Sequence, residues 1–296
     1  MELRILQYFL AVAREQSISA AAESLHLSQP TLSTQLKAFE QELGKQLLIR
    51  GTKGSRKVLL TEEGMILRKR AEEILELVRM TEREISLSDE AIAGDVYIGA
   101  GESDMIRMFA RTAKGLQETY PDIHYHILSG NAAFVQEHLD RGLIDFGVVY
   151  GPVDTSRYNA IKIPLRDTWG VLMRRDSPLA DKEAIQPQDL WDKPLIVSAQ
   201  KADAWPMASW FQQDVAKLNI VATYNLVFNA SLMVAAGVGC ALALDGLIHT
   251  QGTPLTFRPL EPRVETHLNL VWKKYHPLSQ AAERFLAQFQ ETLQEI

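Results

Sequence analysis

The chain holds a single cysteine, Cys240, among its 296 residues. One thiol excludes an intramolecular disulfide and a multi-cysteine zinc cluster, and it suits a reducing compartment. Cys240 follows Gly239 in an apolar run, where it reads as a small buried hydrophobe rather than a redox sensor. Long uncharged apolar runs are also missing. The opening MELRILQYFLAVAREQ is broken by Glu2, Arg4, Arg14 and Glu15 and has no small-residue cleavage site, so neither an export signal nor a membrane span is expected and the cytoplasm is the expected location. The motifs of common enzyme chemistries are absent: there is no GxSxG elbow, HExxH helix or P-loop, and Gly99 and Gly101 lack the third glycine of a dinucleotide fingerprint. His124 and His126 share one face of a strand, but no nearby cysteine or carboxylate completes a ligand set. No catalytic residue, cofactor or metal is expected. Positive charge is in deficit as well, with 31 Lys and Arg against 37 Asp and Glu, a net charge of -6; any basic surface must be local.

What the sequence does contain is ample core material, 46% apolar, in a length that suits two to three domains. Ser17 to Leu43, SISAAAESLHLSQPTLSTQLKAFEQEL, reads as two short helices across a tight turn. Ala20, Ala21 and Ala22 supply small residues for a close helix approach. Ser28 reads as an N-cap and Pro30 stands where a missing amide costs little. Leu32, Leu36, Phe39 and Leu43 make one apolar face of the second helix. The other face carries Gln29, Pro30, Thr31, Ser33, Thr34 and Lys37, the short polar and methyl-bearing set that reads base edges in a major groove, with Gln29 suited to a bidentate adenine contact. Leu3, Leu6, Phe9, Leu10 and Ala13 form a first helix that covers the pair. After Gly44, Leu47 to Ile49 and Val58 to Leu60 make a hairpin. Lys45, Arg50, Lys53, Arg56 and Lys57 fall in a thirteen-residue span without an acid, a tip suited to phosphates.

This order of helix, helix, recognition helix and wing, carried by LQYFLAVAREQSISAAAESLHLSQPTLSTQLKAFEQELGKQLLIR and then LTEEG, resembles the winged helix-turn-helix and linker helix of LysR-type transcriptional regulators over residues 1 to about 88. One departure is the wing, Gly51 to Lys57, a few residues longer than the commonest family form. The DNA-contacting set expected here is Ser28, Gln29, Pro30, Thr31, Ser33, Thr34, Lys37, Arg50, Lys53, Arg56 and Lys57. Thr61, with Glu62 and Glu63 behind it, opens a long helix. Its stripe of Leu67, Ala71, Ile74, Val78, Thr81 and Ile85 alternates four and three, the spacing of a two-stranded coil. At 1.5 Å per residue the helix runs about 40 Å, too long to stay dry on one small domain. A homodimer through it is expected, reading a roughly two-fold symmetric site on double-stranded DNA.

Beyond a short hinge at Ala91 to Gly94, strands and helices alternate: strands at 95 to 101, 124 to 130 and 145 to 151, with helices at Met105 to Thr119 and Ala133 to Arg141 between them. A second set follows: TWGVLMR, PLIVSA, a helix from Trp205 to Leu218, ATYNLVF, a helix at Ser231 to Ala236, and GCALAL. HLNLVWKK and a helix from Ser279 to Leu293 close the chain. The near-continuous apolar strands predict a parallel sheet covered on both faces, and two such lobes leave a cleft for a small molecule. The family resemblance extends in general pattern over this region, anchored at SLMVAAGVGCALAL with Gly237 and Gly239 at the turn from helix to strand.

The resemblance implies an α/β, two-lobed, periplasmic-binding-protein-like effector domain joined by a long linker helix to the N-terminal all-α winged helix-turn-helix. The domains expected are 1–60 for DNA binding, 61–90 for the dimerising linker and 91–296 for the effector, with lobe I at about 91–161 and 267–296 and lobe II at about 162–266. It further implies a homotetramer on double-stranded promoter DNA, a small-molecule effector, and RNA polymerase as a partner. By analogy the effector lies against Gly101, Glu102, Ser103, Asn131, Tyr150, Ser198, Lys201, Asn229 and Ser231. Glu102 and Asp104 weigh against an anionic effector, and Lys201 offsets them. The alternative is a cytoplasmic small-molecule binding protein without a regulatory role.

Overall fold

The computed structural model describes residues 1–51, 57–86, 92–199 and 209–295. Lys53 and Arg56 of the wing, Ala91 of the hinge, Lys201, and the Trp205 start of one expected helix lie outside the described residues. The chain divides into two compact units, Met1–Ser88 and Asp89–Ile296.

The first unit is a helical bundle with a small hairpin: α1 (Leu3–Glu15), α2 (Ile18–Ser24), α3 (Gln29–Leu43), β1 (Leu48–Arg50), β2 (Val58–Leu60) and α4 (Glu62–Ser86). Local signals set its boundaries. The Ser17 hydroxyl accepts the Ala20 amide, Ser28 the Thr31 amide and Thr61 the Gly64 amide, each satisfying an orphan donor of a first turn. Gly44 ends α3 at φ 64°, a left-handed cap that glycine adopts without strain. Gly64 serves close approach instead, since an added Cβ there would stand 2.2 Å from the Leu47 carbonyl oxygen. Leu6, Phe9 and Val12 of α1 meet Ala21, Ala22, Leu32, Leu36 and Phe39 in one core, closed by Leu47, Leu48 and Val58.

The expected stripe on α4 divides in two. Ala71 and Leu75 are buried in this same core, with Leu67 and Ile74 packed against it, so the first half of the helix is covered by its own domain. The large apolar side chains that α4 leaves exposed are Met65, Ile66, Leu77 and Ile85.

The second unit is built on β3 (Gly94–Ala100), α5 (Ile106–Thr119), β4 (Ile123–Ser129), α6 (Ala132–Arg141), β5 (Phe146–Tyr150), β6 (Tyr158–Arg174), β7 (Leu195–Ser198), β8 (Ile220–Tyr224), α7 (Val227–Ala235), β9 (Cys240–Leu244), β10 (Leu255–Pro259), β11 (Glu265–Lys273) and α8 (Gln280–Gln294). The sheet order is β4-β3-β5-β11-β6-β9-β7-β8, with β10 on β6. The sheet is mixed, which corrects the expectation of a parallel one. β3 runs parallel to β4 and β5, and β7 parallel to β8 and β9. Between these two trios lie β6 and β11, antiparallel to each other and to their flanking strands. The chain passes from the first lobe to the second on β6 and returns on β11, so the pair must run in opposite directions. The 17 residues of β6 reach about 55 Å at ~3.3 Å each, enough to serve both lobes.

Each lobe is covered on both faces, as buried strands require. In the first, Phe109, Phe285 and Phe289 pack Ile98 and Phe146 on one side, and Val135 and Leu139 pack Val271 on the other. In the second, Trp210 and Phe211 join Leu195, Val197 and Leu242, with Ala230 and Val234 over Ile196 and Ala241 opposite.

Two further expectations are corrected, and one strand is added. The described part of the segment expected as a helix to Leu218 forms two 3-10 turns, Ser209–Phe211 and Val215–Lys217. Gln212 between them has φ 55°, outside helical space, and Asp214 caps the second turn through the Ala216 amide. ATYNLVF is not one strand: β8 ends at Tyr224 and α7 begins at Val227. β10, unpredicted, pairs with β6 from Leu255 to Pro259.

Candidate functional site

The first candidate surface is the N-terminal end of α3. Gln29, Pro30, Thr31, Thr34 and Lys37 are exposed and Ser33 is half-buried, while Leu32, Leu36 and Phe39 hold the helix to the core. The Ser28 hydroxyl fixes the first turn through the Thr31 amide at 3.2 Å and lies 2.7 Å from the Thr31 hydroxyl. The positive end of the helix dipole therefore opens onto short polar side chains, an arrangement that suits a polyanion with readable edges.

The hairpin beside it is held by Glu40 of α3. Glu40 Oε1 accepts the Leu47 and Leu48 amides, each at 2.9 Å, and its Oε2 accepts Arg50 Nη2 at 2.9 Å. Arg50, expected as a DNA contact, has that guanidinium nitrogen turned to a carboxylate that is itself nearly buried. Its role in the fold is to fix β1 to α3. Lys57, just before β2, is exposed.

The second candidate is a cleft of about 470 Å³ between the two lobes of the second unit. It lies beyond the C-terminal ends of β3, β4 and β5 on one side and of β7, β8 and β9 on the other, where parallel sheets present loops and helix starts to ligands. Of the residues expected there, Gly101, Glu102, Asn131, Tyr150 and Ser198 line it. Ser103, Asn229 and Ser231 do not. Ser103 is buried and donates to Asp167 Oδ2 at 2.7 Å while accepting the Met105 amide at 3.1 Å. Asn229 is exposed on α7, and the buried Ser231 donates to the Phe228 carbonyl within the helix.

The lining that sequence reasoning missed is largely apolar and aromatic: Phe134, Trp169, Tyr224, Leu226, Val227, Leu244 and Leu247, with Ser129, Gly130, Asn225 and Thr266. Their common signal is position, because most follow a strand end or sit where β6 and β11 cross between lobes. The Trp169 indole donates to Thr266 Oγ1 at 2.8 Å and the Tyr224 hydroxyl to the Leu242 carbonyl at 2.7 Å. Asn131 Oδ1 accepts the Phe134 amide at 2.9 Å, capping α6. The Glu102 carboxylate reaches across the cleft and accepts the Val227 amide, the first of α7. Leu226, the residue at the N-cap position, offers no side-chain cap; the helix takes its cap from the other lobe.

Charge shapes the titration of this site. Burial lifts the Asp167 carboxyl above the usual aspartate range, aided by the charge of Asp104 and opposed by hydrogen bonds from Ser103 and Tyr150. Burial, then the charge of Asp167, pushes the Tyr150 phenol up, and burial, then the charge of Glu102, does the same to Tyr224. Both stay protonated donors. Burial also pushes the Cys240 thiol up to about 11, and its Sγ lies 3.6 Å from the Pro194 carbonyl; a thiol so held has little thiolate to react.

His126 of β4 acquires a carboxylate that the sequence did not reveal. Register places Asp95 on the neighbouring strand, with His126 Nε2 at 2.6 Å from its Oδ1 and the imidazole stacked on Tyr97 at 4.5 Å. Among the described residues no three His, Cys, Asp or Glu side chains converge as a metal site, and no helix is long and apolar enough to cross a membrane.

Comparison with known proteins adds an independent line. Residues 3–65 match the family profile described as bacterial regulatory helix-turn-helix protein, lysR family, and residues 89–294 match the LysR substrate binding domain. The HTH-type transcriptional regulator YfeR of Shigella flexneri is 31% identical over 285 residues, covering 95% of this chain and 91% of that protein. HcaR, the Hca operon transcriptional activator of Escherichia coli strain K12, is 30% identical over 302 residues, covering 99% and 98% respectively. The crystal structure of full-length CbnR complexed with its target DNA shares the fold at a TM-score of 0.78 and 19% identity, covering 99% of this chain and 100% of that one.

Proposed function

The chain belongs to the LysR family of DNA-binding transcriptional regulators with an effector-binding domain, and on that premise we propose how its residues divide the work. α3 enters the major groove by its N-terminal end. Gln29 pairs with an adenine, Pro30, Thr31, Ser33 and Thr34 meet base edges and thymine methyls, Ser28 holds the turn, and Lys37 takes a phosphate. Lys53, Arg56 and Lys57 of the wing follow the backbone, and Arg50 positions the wing through Glu40. The observation that carries this reading is the exposed polar end of a helix whose opposite face is sunk in its own core.

Two chains pair along the exposed apolar residues of α4, and two dimers assemble on promoter DNA, where they meet RNA polymerase. A small molecule held by Glu102, Asn131, Tyr150 and Ser198 favours one arrangement of the two lobes, and the linker helices carry the change to the DNA-binding pairs. The test is binding of the full chain to an operator chosen by in vitro selection and to random DNA. Gln29→Ala should lose about 1 to 3 kcal/mol on the operator and little on random DNA, while Lys37→Ala should weaken both and reduce the salt slope by about 1. Equal losses on both DNAs for Gln29→Ala would refute the base-reading role.

A further inference from the structure

The charge that the described lining presents to the cleft is negative. Among its described lining residues Glu102 is the only charged side chain. Asp167 stands behind it, buried and hydrogen-bonded by Ser103, and Asp104 adds its field to Asp167 although it is itself paired with Arg107 at 2.5 Å. One amide at the start of each of three nearby helices is already engaged. Glu102 takes the first amide of α7, Asn131 takes the Phe134 amide in the first turn of α6, and Ser103 takes the Met105 amide at the start of α5. A ligand carboxylate would therefore face a resident carboxylate where the helix dipole would otherwise welcome it.

The walls offer ring surface. Phe134, Trp169 and Tyr224 line the cleft, and the indole and phenol hydrogens are spent on Thr266 and Leu242. What those residues offer a ligand is ring surface, which Phe134 shares with the His138 imidazole at 3.8 Å between centroids. A carboxylate within a cavity walled by aromatic rings is the chemistry that holds a cation, through charge-assisted hydrogen bonds to the acid and cation–π contact with the rings. A volume of about 470 Å³ suits a small organic molecule.

We propose that the effector is a small organic cation, an ammonium or amidinium group on an apolar body, with Glu102 as its counter-ion and Phe134, Trp169 and Tyr224 packing the body. This rests on reading the cleft as the effector site. The cation donates to the Glu102 oxygen left over from the Val227 amide, so the bond between lobes persists and the ligand strengthens it by completing the carboxylate's partners.

The test uses two isosteric trios on the full chain by titration calorimetry and thermal shift: 2-phenylethylamine, 2-phenylethanol and phenylacetate, then hexylamine, hexanol and hexanoate. The amine of at least one trio should bind tightest and its carboxylate weakest. Glu102→Gln keeps an oxygen for the Val227 amide and removes only the charge; it should weaken the amine about 10- to 150-fold, the worth of a hydrogen bond to a charged group, and leave the melting point of the free protein near that of the wild type. A carboxylate or alcohol that binds as tightly as its amine overturns the cation assignment and leaves the cleft standing as a ligand site. Amine binding that Glu102→Gln does not weaken overturns the role of Glu102. If no member of either trio binds at millimolar concentration, the proposal and the reading of the cleft fall together. The head-group comparison on the wild-type protein stands even if the variant does not fold.

Discussion

Removing Glu40 tests whether the wing is positioned by one carboxylate. That side chain accepts two backbone amides and one guanidinium nitrogen, and it is only 12% exposed, against 30% for Arg50. Glu40→Ala leaves the Leu47 and Leu48 amides and Arg50 without these acceptors. Hydrogen bonds to a charged group contribute about 1.5 to 3 kcal/mol each, and breaking a buried ion pair from one side costs about 3 to 5 kcal/mol. Because Arg50 retains some water, the lower end applies, about 3 kcal/mol of local stability. Hydrogen exchange on the full chain reads this directly at the two amides concerned, which should exchange about 100-fold faster. The core of α1 and α3 should keep its protection, and affinity for DNA should fall on operator and random sequence alike, since the basic tip loses its place. Exchange at Leu47 and Leu48 within about twofold of wild type, a change worth under 0.5 kcal/mol, would refute the argument.

Three other outcomes follow from the geometry. Asp167 has a folded-state pKa above its unfolded value, so its contribution to stability is present in full below the unfolded pKa and is lost as pH rises through the folded one; Asp167→Asn should raise the melting point at pH 7 and lose that advantage below the ordinary aspartate range, and equal effects at both pH values would contradict it. Cys240, with a thiol near pKa 11 in a buried strand, should resist peroxide and leave operator binding unaltered, whereas a peroxide response abolished by Cys240→Ser would overturn the inert-thiol reading. Ile85, 79% exposed on α4, should be tolerated as Asp within the monomer but should shift the light-scattering mass toward the single chain and weaken operator binding through lost bivalency; an unchanged mass would remove that residue from the dimer contact.

The DNA-binding unit was legible in the sequence because its determinants are local. Ser17, Ser28 and Thr61 each cap an amide three residues ahead, and the apolar spacing of α3 maps onto its buried face at Leu32, Leu36 and Phe39, while Leu43, expected there too, is exposed at the last turn. The cleft was legible only at strand ends that carry polar residues. Its remaining wall is apolar, and apolar residues announce burial without saying against what. The start of α7 was hidden for a sharper reason: its cap is Glu102, 125 positions away, so Val227 and Phe228 read as the end of a strand and the helix was expected only from Ser231. The antiparallel pair β6 and β11 was equally non-local, since a strand's direction depends on which lobe the chain must reach next. Asp95 beside His126 was invisible until register fixed which residues face across β3 and β4.

Regulation by an effector requires that the cleft and the recognition helices be coupled. The most direct measurement is fluorescence anisotropy of the full chain on its selected operator, with and without a saturating ligand whose binding Glu102→Gln weakens. Operator affinity should change by about 5- to 150-fold, and ligand affinity by the same factor when operator is saturating, as linkage requires. Operator affinity and footprint that stay constant while the cleft fills would contradict it.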